Sequence, residues 1–385
     1  MTSVDPLVVR MQGFGTTIFA EMSALALATA SINLGQGFPD TDGPSEVLEA
    51  AVAAIRDGSH NQYPPGLGLP ELRQAIAAHQ RRFYGLEFDP DTEVLVTAGA
   101  TEAIAAALLG LVQAGDEVVT FEPYYDSYAA CIALSGAERR VVTLRPDGQR
   151  WTFDPDALRA AVTISTRAIL LNTPHNPTGK VFDRDELQLI ADLAVEHDLV
   201  VITDEVYEHL VFDGEHIPMA SLPGMRERTV TISSAGKTFS VTGWKIGWVC
   251  APPPLTAAVR TVKQFLTYVN GGPFQPAVAR GLTLPDSYYV DIGARLGQQR
   301  DILCDGLAEL GFDVIRPQAT YFAMIDVHRD AVEFCRALPS DKRVVAIPSS
   351  VFCDSQVGDT LVRVAFCKRP EVLAEALIRL KGAAP

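Results

Sequence analysis

Residues 168–207 read AILLNTPHNPTGKVFDRDELQLIADLAVEHDLVVITDEVY. The runs 168–171 and 199–203 have the length and apolar content of buried strands, and between them apolar residues recur three and four apart through 185–198. A strand, a helix and a second strand in this order form a βαβ unit with two parallel strands. The stretch therefore predicts an α/β fold.

The same alternation extends on both sides of this unit. Four further strands are predicted at 94–97, 117–121, 229–233 and 246–250, and another crossover helix at 101–112. After about residue 284 the pattern changes to a helix at 296–310 and strands at 320–326, 344–347 and 361–366. We therefore expect an N-terminal arm with part of a small domain (1–43), a large domain (44–284) and a small α+β domain (285–385).

Composition excludes several classes of protein. The 385 residues carry 32 Lys and Arg against 47 Asp and Glu, a formal charge of −15, which argues against a nucleic-acid or anionic-membrane partner. The six cysteines are scattered, the N-terminus lacks the pattern of a signal peptide, and the longest apolar run, 103–112, is too short to span a bilayer. We expect a soluble cytoplasmic protein without a metal site.

Four polar residues lie at or just beyond the carboxyl ends of predicted parallel strands: Asn176, Asp204, Tyr207 and Lys237. Each has an ordinary explanation as a turn, a helix cap or a solvated lysine. Together they match the needs of pyridoxal phosphate chemistry, which uses a lysine amine, an acid for the pyridine nitrogen and hydrogen bonds to the ring oxygen. A P-loop around Lys237 is excluded because the glycine it requires is replaced by Thr231.

Long motifs support this interpretation. NTPHNPTG (172–179), DEVY (204–207) and SSAGKTFSVTGWKIG (233–247) resemble the class I/II aminotransferases, as do NLGQGFPD (33–40) and VRVAFCK (362–368). The resemblance covers essentially the whole chain and is strongest to the kynurenine and glutamine aminotransferase branch. It implies the fold type I architecture, with a mostly parallel seven-stranded sheet flanked by helices, a smaller α+β domain, pyridoxal 5'-phosphate as cofactor, and a homodimer whose active sites lie at the subunit boundary.

The resemblance also implies roles for individual residues. Lys237 would hold the cofactor and move the substrate proton, Asp204 would keep the pyridine nitrogen protonated, and Tyr207 and Asn176 would donate to the ring oxygen. Tyr125 would stack on the ring, with Tyr124 as a rival and core packing as the alternative explanation. Residues Gly99, Ala100, Thr101, Ser234 and Lys245 would bind the phosphate, with Tyr63 reaching across from the partner subunit, and Gly37 and Arg363 would bind the substrate carboxylate.

Substrate specificity is less readable from the sequence. The aromatics in the segments 14–17 and 321–322 and near Phe274 and Phe352 either line a roomy pocket or belong to the core. Similarity to bacterial members of the branch favours transfer from N-succinyl-LL-2,6-diaminopimelate to 2-oxoglutarate in lysine biosynthesis. Methionine, glutamine or kynurenine transamination and β-elimination of cysteine conjugates are alternatives, and a non-catalytic regulator is a remote one, since this chain has no spare basic domain.

Overall fold

The computed structural model describes residues 7–15 and 17–385. Its α-helices are α1 Ile18–Thr29, α2 Ser45–Asp57, α3 Pro70–Tyr84, α4 Gly99–Leu111, α5 Asp126–Ser135, α6 Pro155–Ala161, α7 Arg184–Glu196, α8 Ala235–Thr238, α9 Pro253–Leu266, α10 Phe274–Leu282, α11 Asp286–Glu309, α12 Ala331–Lys342 and α13 Pro370–Arg379. Its strands are β1 Ile32–Asn33, β2 Val94–Thr97, β3 Glu117–Glu122, β4 Glu138–Thr143, β5 Arg145–Asp147, β6 Arg150–Thr152, β7 Thr166–Asn172, β8 Val200–Asp204, β9 Thr229–Ser234, β10 Gly247–Cys250, β11 Asp313–Ile315, β12 Phe322–Asp326, β13 Val344–Val345, β14 Ile347–Pro348 and β15 Leu361–Ala365.

The larger sheet has seven strands in the order β2-β10-β9-β8-β7-β3-β4, in which only β10 runs antiparallel to its neighbours. Its inner strands are buried along nearly their whole length, because helices cover both faces. Helices α4, α5 and α9 pack on one face, and α6 and α7 on the other. This is the predicted α/β architecture with a mostly parallel sheet.

Local sequence sets the bounds of the crossover helix α7. The Asp183 side chain accepts from the backbone N–H of Glu186, and the Glu186 side chain accepts from the backbone N–H of Asp183. This capping box satisfies amide groups that the first turn of a helix leaves without partners. Buried Leu187 and Ile190 then hold the helix on the sheet, and the chain enters β8 at the register that the site requires.

The second sheet is antiparallel, with the order β11-β12-β15-β14, and packs against α11, α12 and α13. The N-terminal segment joins it, because β1 pairs with β13 and α1 contributes Met22 and Ala26 to the same core.

The domain boundaries at residues 43 and 284 stay a prediction. Among the described residues, no helix combines the length and apolar content needed to cross a bilayer.

Some predicted elements have different bounds. The edge strand β4 (ERRVVT) was not predicted, because its charged residues do not form an apolar run. The helix expected at 296–310 begins at Asp286, and the strand expected at 344–347 divides into β13 and β14, which belong to different sheets. The other predicted strands form within one or two residues of the expected positions.

Leu170, at the centre of β7, tests the packing of the larger sheet. Its side chain is fully buried, so Leu170→Ala should lower the free energy of unfolding by about 2–5 kcal/mol through lost burial and a cavity. Ile164→Ala, two residues before the same strand and fully exposed, should change it by less than about 0.5 kcal/mol. Urea unfolding of both variants measures the difference, and equal midpoints would contradict the packing described here.

Candidate active site

A cavity of about 490 Å³ lies where the carboxyl edge of the seven-stranded sheet meets the antiparallel sheet. Residues from the ends of β7, β8 and β9, from the N-terminal turn of α4, from the arm and from β12 and β15 all line it. The carboxyl ends of parallel strands are where α/β proteins place their ligand sites. The polar residues predicted from sequence therefore converge on one cavity.

Asp204 is the buried acid of this cavity. The parallel register pairs it with Asn172, whose Nδ2 donates to the Asp204 carbonyl oxygen at 2.8 Å. The hydroxyl of Tyr128 donates to Asp204 Oδ2 at 2.7 Å. Burial raises the pKa of Asp204 to about 6, although the hydrogen bonds that its carboxylate accepts from Tyr128 and from the backbone N–H of Val206, and the charge of Lys237, act in the opposite direction. At neutral pH Asp204 is thus an ionised acid in a desolvated place.

Lys237 lies in the short helix α8, immediately after β9. Its Nζ donates to the hydroxyl of Tyr321 at 2.7 Å, and that hydroxyl donates to the carbonyl oxygen of Gly37 at 2.5 Å. Burial is the main reason that the pKa of Lys237 is lowered to about 8; the charges of Arg363 and Lys245 act in the same direction, and Cys367 and Asp204 oppose them. A substantial fraction of the amine is therefore neutral near physiological pH, as predicted.

The N-terminal turn of α4 forms an anion cradle from Gly99, Ala100 and Thr101. Its free N–H groups lie beside Lys245, whose Nζ is 3.2 Å from the place that a Cβ on Gly99 would occupy. Gly247 permits this arrangement, because a Cβ there would lie 2.6 Å from the Gly99 carbonyl carbon and 2.8 Å from the Ala100 nitrogen. The backbone of β10 thus packs directly on the turn.

Arg363 provides a buried cation on the opposite wall. Its Nη1 donates to Asn176 Oδ1 at 3.0 Å and its Nη2 to the Gly35 carbonyl oxygen at 2.8 Å, whereas its Nε has no partner. The guanidinium lies 4.0 Å from the Phe322 ring centroid, and burial lowers the pKa of Arg363 to about 10. Within residues 7–15 and 17–385 it forms no ion pair with a carboxylate, so an external anion is its natural partner.

Two tyrosines complete the lining. Tyr207 is buried and meets the ring of Tyr321 edge-on, with 5.3 Å between centroids. Tyr125 precedes α5 and faces the cavity. Its rival Tyr124 does not line the cavity, because its hydroxyl donates to Asp354 Oδ1 at 2.7 Å, away from the site. The geometry favours Tyr125 as the aromatic available to a ligand.

Most of the predicted site residues are brought together here. The cavity is lined by Gly37, Gly99, Ala100, Thr101, Tyr125, Asn176, Asp204, Tyr207, Ser234, Lys237, Lys245 and Arg363. Tyr63 is elsewhere: it is 82% exposed and packs edge-on against Tyr268 in a surface groove. An exposed tyrosine at this place is compatible with its predicted contact to a partner subunit.

The aromatics expected to define the pocket divide into two groups. Phe322 lines the cavity, together with Thr17 from the segment 14–17, whereas Phe352 is buried in the core and Phe274 stacks on Trp244. Tyr321 lies behind Lys237 rather than on the cavity wall. Phe14 does not line the cavity, and Thr16 lies outside the described residues.

Sequence reasoning missed several residues of the site. Asn172 and Tyr128 hold Asp204, while Phe19, Gln36, Phe38 and Asp126 also line the cavity. Tyr128 carried a usable signal, because Tyr125 and Tyr128 are three residues apart at the start of α5 and therefore share a face of that helix. The arm residues Phe19 and Phe38 carried none, since only the tertiary fold brings them to the cavity.

The residues present fit pyridoxal phosphate. One cavity contains a buried acid for a ring nitrogen, an amine with a lowered pKa and a helix N-terminus with a lysine for a phosphate. The unpartnered Arg363 Nε leaves a donor for a carboxylate.

Comparison with known proteins agrees with this geometry. The family model "Aminotransferase class I and II" matches residues 29–380. The chain is 54% identical to a "Probable N-succinyldiaminopimelate aminotransferase" of Mycobacterium tuberculosis, over 96% of this chain and 97% of that protein. It is 41% identical to the "Methionine aminotransferase" of Escherichia coli, over 97% of both chains.

A solved structure, that of N-succinyldiaminopimelate aminotransferase from Mycobacterium tuberculosis, superposes with a TM-score of 0.96 at 55% identity, covering 98% of this chain and 100% of that one. The cavity, the matched family model and this superposition lead to the same conclusion: the chain belongs to the class I and II aminotransferases, enzymes of fold type I that depend on pyridoxal 5'-phosphate.

Proposed function

We propose that this enzyme transfers the amino group of N-succinyl-LL-2,6-diaminopimelate to 2-oxoglutarate by a ping-pong mechanism, a step of lysine biosynthesis. The observation that carries this substrate assignment is the 54% identity, over almost the whole of both chains, to the mycobacterial relative of that name. The geometry of the cavity supports transamination with pyridoxal phosphate, and the similarity to the mycobacterial relative supports the choice of amino donor.

In the proposed mechanism Lys237 holds the cofactor covalently through Nζ. When bound, the cofactor supplies a ring that accepts the electron pair left on the substrate α-carbon as its proton departs. Once the substrate amine has displaced Nζ from the cofactor, Lys237 would take that proton on Nζ and return it to the cofactor carbon, which requires the neutral amine. Burial and the charges of Arg363 and Lys245 favour this neutral form.

Asp204 holds a proton at the pyridine nitrogen. The Asp204 carboxylate accepts from the Tyr128 hydroxyl, and Asn172 donates to the Asp204 carbonyl oxygen, so the side chain and the backbone of this residue are both anchored. A desolvated carboxylate gains by pairing with a cation, and this stabilises the protonated nitrogen. Tyr207 and Asn176 donate to the phenolic oxygen; with Asn176 Oδ1 engaged by Arg363, the amide NH₂ is the donor available.

The anion cradle would hold the cofactor phosphate, with a hydroxyl from Ser234 and a charge from Lys245. Tyr63 of the partner subunit completes this site, so the active form is a homodimer. The exposure of Tyr63 on the surface of one subunit supports this part of the proposal. We place the enzyme in the cytoplasm and divide each chain at residues 43 and 284.

The substrate α-carboxylate binds Arg363 and the backbone N–H of Gly37. Gly37 has no space for a side chain, because a Cβ would lie 2.4 Å from the nearest Phe322 ring atom. Gly37 and Arg363 both line the cavity, and a planar guanidinium can make two parallel hydrogen bonds to a carboxylate.

A second candidate is an aminotransferase of uncharged donors such as methionine. The cations that line the cavity within the described chain are Lys237, Lys245 and Arg363, and each already has a role. Phe19, Phe38 and Phe322 would contact an apolar side chain. The additional carboxylates of N-succinyl-diaminopimelate would instead have to point toward the cavity mouth and the partner subunit.

β-Elimination of a cysteine conjugate would use the same proton transfer and is distinguished by its products.

The donor can be identified spectroscopically. Single donors are added to the holoenzyme without acceptor, and conversion of the cofactor to its amine form is followed by the loss of visible absorbance. N-succinyl-LL-diaminopimelate should react faster than methionine, glutamine, kynurenine or aspartate. Faster conversion by methionine would replace the first candidate by the second, and pyruvate release from a cysteine conjugate without that conversion would indicate elimination.

Lys237→Ala should abolish the visible absorbance of covalently held cofactor and lower turnover by at least about three orders of magnitude, because it removes both the covalent link and the proton carrier. The exposed Lys381→Ala serves as the matched control and should behave as the unmodified enzyme. Substantial turnover by Lys237→Ala would exclude the assigned role.

Asp204→Asn should keep bound cofactor but lower turnover by about 10²–10⁴-fold, since a neutral amide does not hold the pyridine proton. Tyr128→Phe removes only the phenol that donates to Asp204 Oδ2 and should cause a smaller loss. Steady-state rates and cofactor content measure both effects. A near-normal rate for Asp204→Asn would contradict the proposed mechanism.

A further inference from the structure

Tyr321 connects the lysine of the site to the N-terminal arm. Its hydroxyl lies between Lys237 Nζ, at 2.7 Å, and the carbonyl oxygen of Gly37, at 2.5 Å. Three parts of the fold meet at this single oxygen: α8 after the larger sheet, the arm before α2, and the residue that precedes β12. None of the roles assigned above uses this hydroxyl.

The direction of these two hydrogen bonds is fixed. A carbonyl oxygen can only accept, so the Tyr321 hydroxyl must donate its proton to Gly37. Its lone pairs are then available to Lys237, whose Nζ donates to them in either protonation state. The phenol is therefore oriented as an acceptor toward the amine.

Packing prevents the phenol from leaving this position. Tyr321 is 1% exposed, and its ring meets Tyr207 at 5.3 Å and Phe322 at 4.8 Å between centroids. Gly37 lies so close that a Cβ on it would be 3.0 Å from the Tyr321 ring. Behind the ring, Lys237 and Tyr321 border a second cavity of only about 20 Å³, which leaves the amine little room on that side.

We propose that Tyr321 is a positioning residue that holds the amine of Lys237 whenever that amine is not bonded to the cofactor. Held in this way, Nζ stays beside the cavity between its two proton transfers instead of sampling other rotamers. The arm takes part because Gly37 offers its carbonyl to Tyr321, while its N–H is assigned to the substrate carboxylate. This inference rests on the proposed role of Lys237.

The test compares Tyr321→Phe with Tyr288→Phe. Tyr321→Phe keeps the ring against Tyr207 and removes only the oxygen. Tyr288 is the matched control, since its hydroxyl donates at 2.8 Å to the carbonyl oxygen of Thr238, next to Lys237 in sequence, without contacting the amine. Tyr321→Phe should lower kcat by about 10-fold to 100-fold, with KM within about twofold, whereas Tyr288→Phe should keep kcat. Thermal unfolding checks that both variants are folded.

A second readout does not depend on turnover. The full-length apoenzyme is mixed with pyridoxal phosphate, and the rate at which visible absorbance appears is measured against pH, because only the neutral amine reacts. An acceptor beside the amine stabilises its charged form, so its removal should move the midpoint of this profile to lower pH, by about half to one unit from its position near pH 8.

The outcomes separate this inference from the proposed function. A lowered midpoint in Tyr321→Phe, absent in Tyr288→Phe, together with a loss of kcat supports the role of Tyr321. An unchanged midpoint or an unchanged kcat overturns it. A failure of the proposed function would be seen in a different experiment. If the Lys237→Ala variant still captured the cofactor covalently, the role proposed for Lys237 would be wrong.

Discussion

The register of the parallel strands determines where the chemistry of this protein lies. β7, β8 and β9 pair so that Asn172 is opposite Asp204 and Asp204 is opposite Ile232, two residues before Ser234. All three strands consequently deliver polar residues to one edge of the sheet. A shift of one residue in any of them would turn its side chains to the other face. The crossover helices, with their caps and buried faces, are what hold this register.

Burial acts in the same sense on three charged groups of the cavity, Asp204, Lys237 and Arg363. It raises the pKa of Asp204 and lowers those of Lys237 and Arg363, so each group is pushed toward its neutral form. For Asp204 and Lys237 the resulting values, about 6 and about 8, bracket neutral pH. Arg363 stays charged near neutral pH and can bind an anion. One desolvated cavity thus contains a fixed acid, a proton carrier and an anion receptor.

The sequence predicted those parts of the molecule in which local pattern and final environment agree. The inner strands could be recognised from their apolar runs because they are buried on both faces. The motifs at the ends of these strands could be recognised with them. The edge strand β4 was not recognised, since its exposed residues Glu138 and Arg140 are charged and alternate with half-buried ones. Phe19 and Phe38 could not be assigned to the cavity, because the arm reaches it through tertiary contacts alone. The choice between Tyr124 and Tyr125 likewise depended on Asp354, a distant residue in the chain.

Gly247 contributes to the site because it has no side chain. Gly247 lets the backbone of β10 lie directly on the backbone of the α4 turn, so main-chain geometry determines the shape of the anion cradle. Substitutions of side chains elsewhere do not change that shape. The arm contributes differently, because Phe19 and Phe38 line the cavity without belonging to the cradle. Substitutions at these two positions therefore change the shape of the cavity and leave the main-chain geometry of the cradle in place.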